Sequence, residues 1–372
     1  MRRKQQLSVM PEVPLSSPFL RLDPSLPKKE LAKIRDNFSA VVLHGSHLWL
    51  GGDEGTSIDR MTREADGNFG SHTRFDLAPL LQLPGGGEEI DIEGLAVDGG
   101  YLWLIGSHSL KRKKAEAGKT AAENIKRLAD VGADGNRFTL ARVPLDSSGK
   151  PVKKQGELTV ARLQGDARGN LLTEALKKDD HIGPFVPRVS SGAIDGIPSK
   201  DNGLDVEGLA VSGNRVFLGL RGPVLRGWTV VIELKVTDGS SGVLMLDDLG
   251  SSSVRFRRHF LQLEGLGVRD LVIHGKDVFA LAGPTMDLDG PVCIYRWSNA
   301  LEQGADSLTF LKDLKRVVSV PFGIGTDHAE GLTLVPGGAL AGMVCYDSPD
   351  KARIEGINEG GVRADVFSLN AS

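Results

Sequence analysis

DVEGLAVSGNRVFLGLRG, residues 205–222, opens on acidic residues, runs through an apolar stretch, turns at a glycine and returns through a second apolar run rich in branched and aromatic side chains. A period-two run on each side of a Gly-containing turn reads as a tight β-hairpin. Four other segments carry the same pattern: FSAVVLHGSHLWLGGDEG from Phe38, DIEGLAVDGGYLWLIGSH from Asp91, VRDLVIHGKDVFALAGP from Val268 and HAEGLTLVPGGALAGMV from His328. Aligning the turn glycines makes Ser39, Glu93, Glu207, Arg269 and Glu330 equivalent, spaced by 54, 114, 62 and 61 residues. Three of those spacings suit one propeller blade each. The fold expected is therefore all-β, a β-propeller of five blades with six as the alternative, and the EGL tripeptide opening three copies favours it over a sandwich of ordinary hairpins.

The long interval contains two expected insertions, at about 109–136 and 165–203. The first has a charged core, KRKKAEAGKTAAENIKRLADVGADG, that reads as a helix. The second contains the helical LLTEALKKDD. Further strands are expected at RFTLARVPL from Arg137, WTVVIELKV from Trp228, CIYRWSNAL from Cys293 and ADVFSLN from Ala364. Since the last copy ends after about two strands, residues 1–37 are expected to supply the missing outer strands and close the ring around a single domain, 38–372.

Composition fits. Of 372 residues, 47 are glycine and 18 proline, enough for many turns, and 40% are hydrophobic, enough for a sizeable core. A net charge of −3 gives no electrostatic reason to expect nucleic acid or an anionic membrane as partner. The basic N-terminus lacks the apolar run of a signal peptide, and no stretch of about 18 apolar residues occurs, so a soluble, cytoplasmic protein is expected. Cys293 and Cys345 lie in apolar runs and read as buried free thiols, and Trp49, Trp103, Phe217 and Phe279, one per repeat, read as core.

DIEGLAV, GLDVEGLAV, FLGLRGPVLRG, GVRDLVI, ALAGPTM and HAEGLTL together resemble the bacterial family domain of unknown function 3616, over most of the chain from Phe38 onward. The resemblance implies a propeller-like fold and transfers no activity. The charged insertion Lys111 to Ala133 departs from the shared pattern.

In a propeller, residues that open the innermost strands face one another across the channel mouth. This expectation gathers Glu93, Glu207 and Glu330 with Arg269 and Ser39, beside Asp91, Asp205, Asp270 and His328. Oxygen ligands without thiols suit a hard cation, so Glu93, Glu207, Glu330 and Asp270 are the candidate ligands of Ca²⁺ or Mg²⁺, with His328 as general base. The opposing expectation is structural: the glutamates pair with Arg269 or with backbone and hold the ring together. Asp53, Glu54, Ser107, His108 and Arg221 are expected at the opposite mouth, where Arg221 and Arg226 either bind an anion or, for Arg221, pair with Asp53 or Glu54.

Two functions follow as expectations. One is a divalent-metal-dependent hydrolase of a phosphoester or lactone that takes a small anionic substrate at the channel mouth. The other is a non-catalytic scaffold that binds a protein partner through the propeller face and the charged insertion. No nucleotide or organic cofactor is expected, since GxxxxGK[ST], HExxH, GxSxG and paired CxxC motifs do not occur. Oligomeric state stays open.

Overall fold

A computed structural model describes residues 11–86, 89–250 and 254–370. Five hairpins form where the repeats predict them: Phe38–His44 with His47–Gly52, Ile92–Asp98 with Tyr101–Gly106, Asp205–Ser212 with Arg215–Gly222, Gly267–His274 with Asp277–Gly283, and His328–Val335 with Ala341–Asp347. Each turn needs backbone in the left-handed region, and glycine supplies it at Gly45, Gly99, Gly213, Gly275 and Gly338, all at positive φ.

A third strand extends each hairpin: Ser57–Arg63, Leu140–Pro144, Thr229–Asp238, Val292–Trp297 and Asp365–Ser368. In four sheets a fourth strand follows, Phe69–Asp76, Ala161–Leu163, Phe256–Leu261 and Lys315–Val320. The fifth sheet is completed from the other end of the chain, where Ser16 bridges Val366 and the Leu15 N–H donates to the Val366 carbonyl at 2.7 Å. Phe19–Arg21 then lies between the edge of the first sheet, at Phe69, and Gly361–Arg363.

The core shows how the sheets are arranged. Apolar side chains form five clusters, and each lies between two successive sheets. Trp49 and Leu104 sit in the one between the first and second sheets, and Phe217 and Leu271 in the one between the third and fourth. Five sheets in a row would leave four such interfaces. The fifth packs Val41 and Leu48 of the first sheet on Met343 and Cys345 of the last, which closes a ring. The inner strands touch in the same cyclic order, and Phe38–His44 meets His328–Val335 to complete the circuit. This is the geometry of a β-propeller. Trp49, Trp103, Phe217 and Phe279 are at most 2% exposed, each removing a large apolar surface from water. Cys293 and Cys345 are free and buried.

Two outer edges carry a further strand rather than standing open to pairing with other chains. Val243–Leu246, from the third sheet's connection, runs parallel to Ala161–Leu163. Ser307–Thr309 does the same along Phe256–Leu261.

The long interval holds connections of the second and third sheets. Its charged segment is helical only over Ala121–Ala129, and the short pair Lys111–Arg112 with Val131–Gly132 forms its base. The helix starts at a capping box, in which the Thr120 hydroxyl accepts from the Glu123 N–H and the Glu123 carboxylate accepts from the Thr120 N–H. The second insertion contains the helix Leu171–Leu176. No described helix is long and apolar enough to cross a membrane.

Candidate functional site

Each inner hairpin carries an irregularity at the same place. The pairing steps from Phe38 to Ala40, from Ile92 to Gly94, from Val206 to Gly208, from Val268 to Asp270 and from Ala329 to Gly331. The skipped residues are Ser39, Glu93, Glu207, Arg269 and Glu330, the five positions that the turn glycines align. A bulge frees its extra residue from the ladder and re-aims its side chain. The residue after it must then fit against the neighbouring sheet. A Cβ on Gly94 would lie 2.6 Å from Cβ of Leu209, one on Gly208 2.9 Å from Cγ of Leu271, and one on Gly331 2.7 Å from Cγ1 of Val41. The tripeptide EGL thus encodes a mouth residue, a close approach between sheets and a core residue.

The ring brings these bulges around a cavity of about 590 Å³. Glu93, Arg269 and Glu330 line it, together with Asp53, Asp91, Arg137, Asp205, Arg221, His328 and Asp347. Glu207 is buried between two arginines: Arg221 lies 2.6 Å from it and Arg269 3.3 Å. Arg221 also pairs with Asp205, and Arg269 with Glu330 at 2.5 Å while donating to the Pro284 carbonyl at 3.0 Å. Asp205, Arg221, Glu207, Arg269 and Glu330 therefore form one chain of alternating charge across three sheets. Asp91 has its own partner, Arg137, at 2.7 Å. Burial works against the guanidinium charge of Arg221, yet Asp205 and Glu207 hold its pKa above the ordinary value.

Two carboxyl groups stand outside this pairing. Asp53 and Glu93 form no close ion pair among the described residues, although the charge of Arg221 is felt at Glu93, and the Asp53 Oδ1 is buried without a hydrogen bond. Burial, then the charges of Glu330, Asp91 and Asp347, push the Asp53 carboxyl up to about 8. Glu93 is held well above the carboxylate range by burial and by Asp91, Glu207, Asp53 and Asp205. At neutral pH Asp53 is predominantly the protonated acid, and the surroundings of Glu93 favour its protonated form.

This bulged, arginine-laced mouth is assembled from segments that a single family spans. The family described as Protein of unknown function (DUF3616) matches residues 37–365. The chain belongs to the DUF3616 family. A search of curated proteins gives no match. Among solved structures, the DUF3616 chain is similar to the pyrroloquinoline-quinone-bound aldose sugar dehydrogenase of Streptomyces coelicolor, at 12% identity over 96% of this chain and all of that one, TM-score 0.36. It is also similar to an exo-1,5-α-L-arabinanase from a bovine ruminal metagenomic library, at 9% identity over 89% and 93% of the two chains, TM-score 0.36. A third likeness is to a glycoside hydrolase family 43 β-1,3-galactosidase, at 9% identity over 90% of each chain, TM-score 0.40.

Several expectations about the DUF3616 mouth need correction. Glu93, Glu207 and Glu330 do meet, but arginines stand between them, and among the described residues no group of three or more His, Cys, Asp and Glu is arranged to hold a metal ion. The residues present therefore do not fit the Ca²⁺ or Mg²⁺ site. Asp270 does not face the channel at all: its carboxylate accepts from the N–H groups of Leu271 at 2.7 Å and Leu332 at 2.8 Å, which ties two sheets together.

Arg221 and Asp53 belong to this mouth, not the opposite one. An antiparallel hairpin returns the end of its second strand to the start of its first, so Arg221 comes back beside Asp205, and the residue after Gly52 beside Phe38. The pairing of Arg221 with Asp53 or Glu54 does not occur, and Glu54 pairs instead with Lys33 at 2.7 Å. Arg226 is exposed on a turn outside the cavity. Ser39 is buried and donates its hydroxyl to the Ile92 carbonyl at 2.5 Å.

His328 lies between two carboxylates, 3.1 Å from Asp289 and 3.7 Å from Asp347. Its hydrogen bond to Asp347 raises its pKa, which favours the charged imidazolium. Arg137 escapes the sequence reading because it lies outside the repeated tripeptide, whereas Asp53 is read as a mouth residue but at the opposite mouth.

The charged insertion stands at the rim. Lys111 pairs with Glu89, Arg112 with Asp201, Lys113 with Asp130, and Arg127 with Glu116. Its basic run is thus largely neutralised.

Proposed function

We propose that the channel mouth hydrolyses a small ester of the lactone class by proton transfer through Asp53 and Glu93. The observation that carries this reading is the contrast within one cavity. Asp91, Asp205, Glu207 and Glu330 each pair with an arginine, whereas Asp53 and Glu93 form no close ion pair and are crowded mainly by other acids. An uncompensated buried carboxyl destabilises a fold, and a ring built only for stability would have paired these two as it paired the others.

The chemistry follows from their unequal environments. A group that titrates near the working pH serves best as general base, because both of its forms are accessible. Asp53, near 8, takes a proton from water as the water oxygen bonds to the lactone carbonyl carbon. Glu93, whose protonated form is favoured by burial and by the neighbouring acids, donates a hydrogen bond to the carbonyl oxygen as negative charge develops there. The ring C–O bond then breaks, and the alkoxide oxygen takes back the proton that Asp53 carries. The product is the open hydroxy acid, with water consumed and Asp53 restored. Arg269 is a cation within the same cavity for the new carboxylate, and His328, whose charged form its carboxylate neighbours favour, lies there too.

Hydrolysis of δ-valerolactone, followed by acid release, tests the reading. Wild-type kcat/KM is expected to rise with pH and level off above about 8, as Asp53 ionises. Asp53→Asn should lower kcat by about 10² to 10⁴. Glu93→Gln, which keeps a donor, should lose less. A wild-type rate equal to that of Asp53→Asn at pH 8.5 would overturn the proposal.

A further inference from the structure

The cavity changes character from one side to the other. Lys111, Arg112, Lys114 and Lys200 line it from the insertion and from the approach to the third sheet. On the other side, the loop after Gly283 and the connection into His328 supply Met286, Leu288 and Phe322. These three are 41%, 59% and 42% exposed, and Ile324, on the same connection, is 91% exposed.

Apolar residues scattered over a surface need no explanation, but apolar residues gathered on two adjoining loops at the lip of one cavity do. The lip is a built feature. Asp289 accepts from the Gly325 N–H at 2.9 Å, which joins the two loops, and also lies 3.1 Å from Nε2 of His328, at the cavity wall. The same carboxylate thus fixes the apolar lip against the polar floor.

We infer that the ligand is a lactone bearing an aliphatic substituent, its ring over Asp53 and Glu93 and its chain against Met286, Leu288 and Phe322. The inference rests on the hydrolytic reading only for the ring and its carbonyl. Most rim cations already have acidic partners, Lys111 with Glu89, Arg112 with Asp201 and Lys114 with Asp287, so the chain, more than an added anionic group, is what the rim selects. Each methylene that leaves water for this lip should tighten binding about two- to fourfold.

δ-Lactams with no substituent or with ethyl, butyl or hexyl chains keep the ring and the carbonyl and resist hydrolysis. Calorimetry on the wild-type protein is expected to give a dissociation constant that falls about two- to fourfold per methylene. In the Leu288→Ser/Phe322→Ser double variant, the unsubstituted lactam should bind as in wild type while the dependence on chain length flattens. Both side chains are largely outside the core, so this variant keeps the fold. Equal affinity for all four lactams, no binding of any, or an undiminished slope in the double variant would overturn the inference. Turnover is not involved. A chain-length slope without lactone hydrolysis leaves this inference standing and removes the hydrolytic reading, and hydrolysis without a slope does the reverse.

Discussion

Arg221 and Asp53 face the same cavity, yet they stand for opposite solutions to burying charge. Arg221 is 3% exposed and is held between Asp205 and Glu207. Removing it would leave the buried Asp205 carboxylate without its ion-pair partner and Glu207 with Arg269 alone, the kind of change that costs about 3–5 kcal/mol. Asp53 has no such partner, and its stability balance runs the other way. Below about pH 4 the carboxyl is protonated in both the folded and the unfolded chain and costs nothing. Between its ordinary value of 3.8 and about 8, the folded protein keeps a proton that the unfolded chain has lost, so stability falls as pH rises; above 8 the whole charge is buried. Asp53→Asn is therefore expected to melt like wild type at pH 4 and above it at pH 9, with the gap widening between. One pKa unit corresponds to about 1.4 kcal/mol, so a gap of at least about 1 kcal/mol should appear in thermal melts. Equal melting temperatures at pH 9 would show that the Asp53 charge is compensated.

At the scale of the element, the EGL hairpin could be read before its structure because each letter obeys a local rule. The turn glycines set the register, the register fixes the equivalent positions, and the bulges fall on those same five residues. What the letters did not disclose was direction. The two ends of a hairpin lie at the same mouth, because antiparallel pairing brings Gly222 beside Asp205. That single reversal accounts for the misplacement of Arg221 and Asp53. The charged insertion was likewise read as one helix, although Thr120 and Glu123 mark a later start and Gly118, at φ +87, precedes it. The glycine after the bulge gives this scale its prediction. Gly94→Ala places a Cβ 2.6 Å from Cβ of Leu209 and 3.0 Å from the Glu207 carbonyl, and forcing the sheets apart should cost about 1–3 kcal/mol in urea unfolding. Unchanged stability would mean that the inner strands are not packed so closely.

For the whole molecule, closure of the ring converts spacing in sequence into proximity in space. Five intersheet clusters bring Glu330, from the last sheet, close enough to Asp53, from the first, to oppose its ionisation. The convergence of the mouth residues was legible as a consequence of the repeats. The distribution of arginines was not, because Arg137 and Arg221 lie outside the aligned position and their partners depend on how strands return and sheets pack. The metal expectation counts carboxylates without the arginines that stand between them. The account rests on a carboxyl kept protonated by charges from other parts of the ring. Carboxyl ¹³C NMR titration of Asp53, assigned by comparison with Asp53→Asn, measures this in wild type and in Glu330→Gln. A midpoint near 8 in wild type that falls in Glu330→Gln is the predicted result. A midpoint near 4 in both proteins would contradict it.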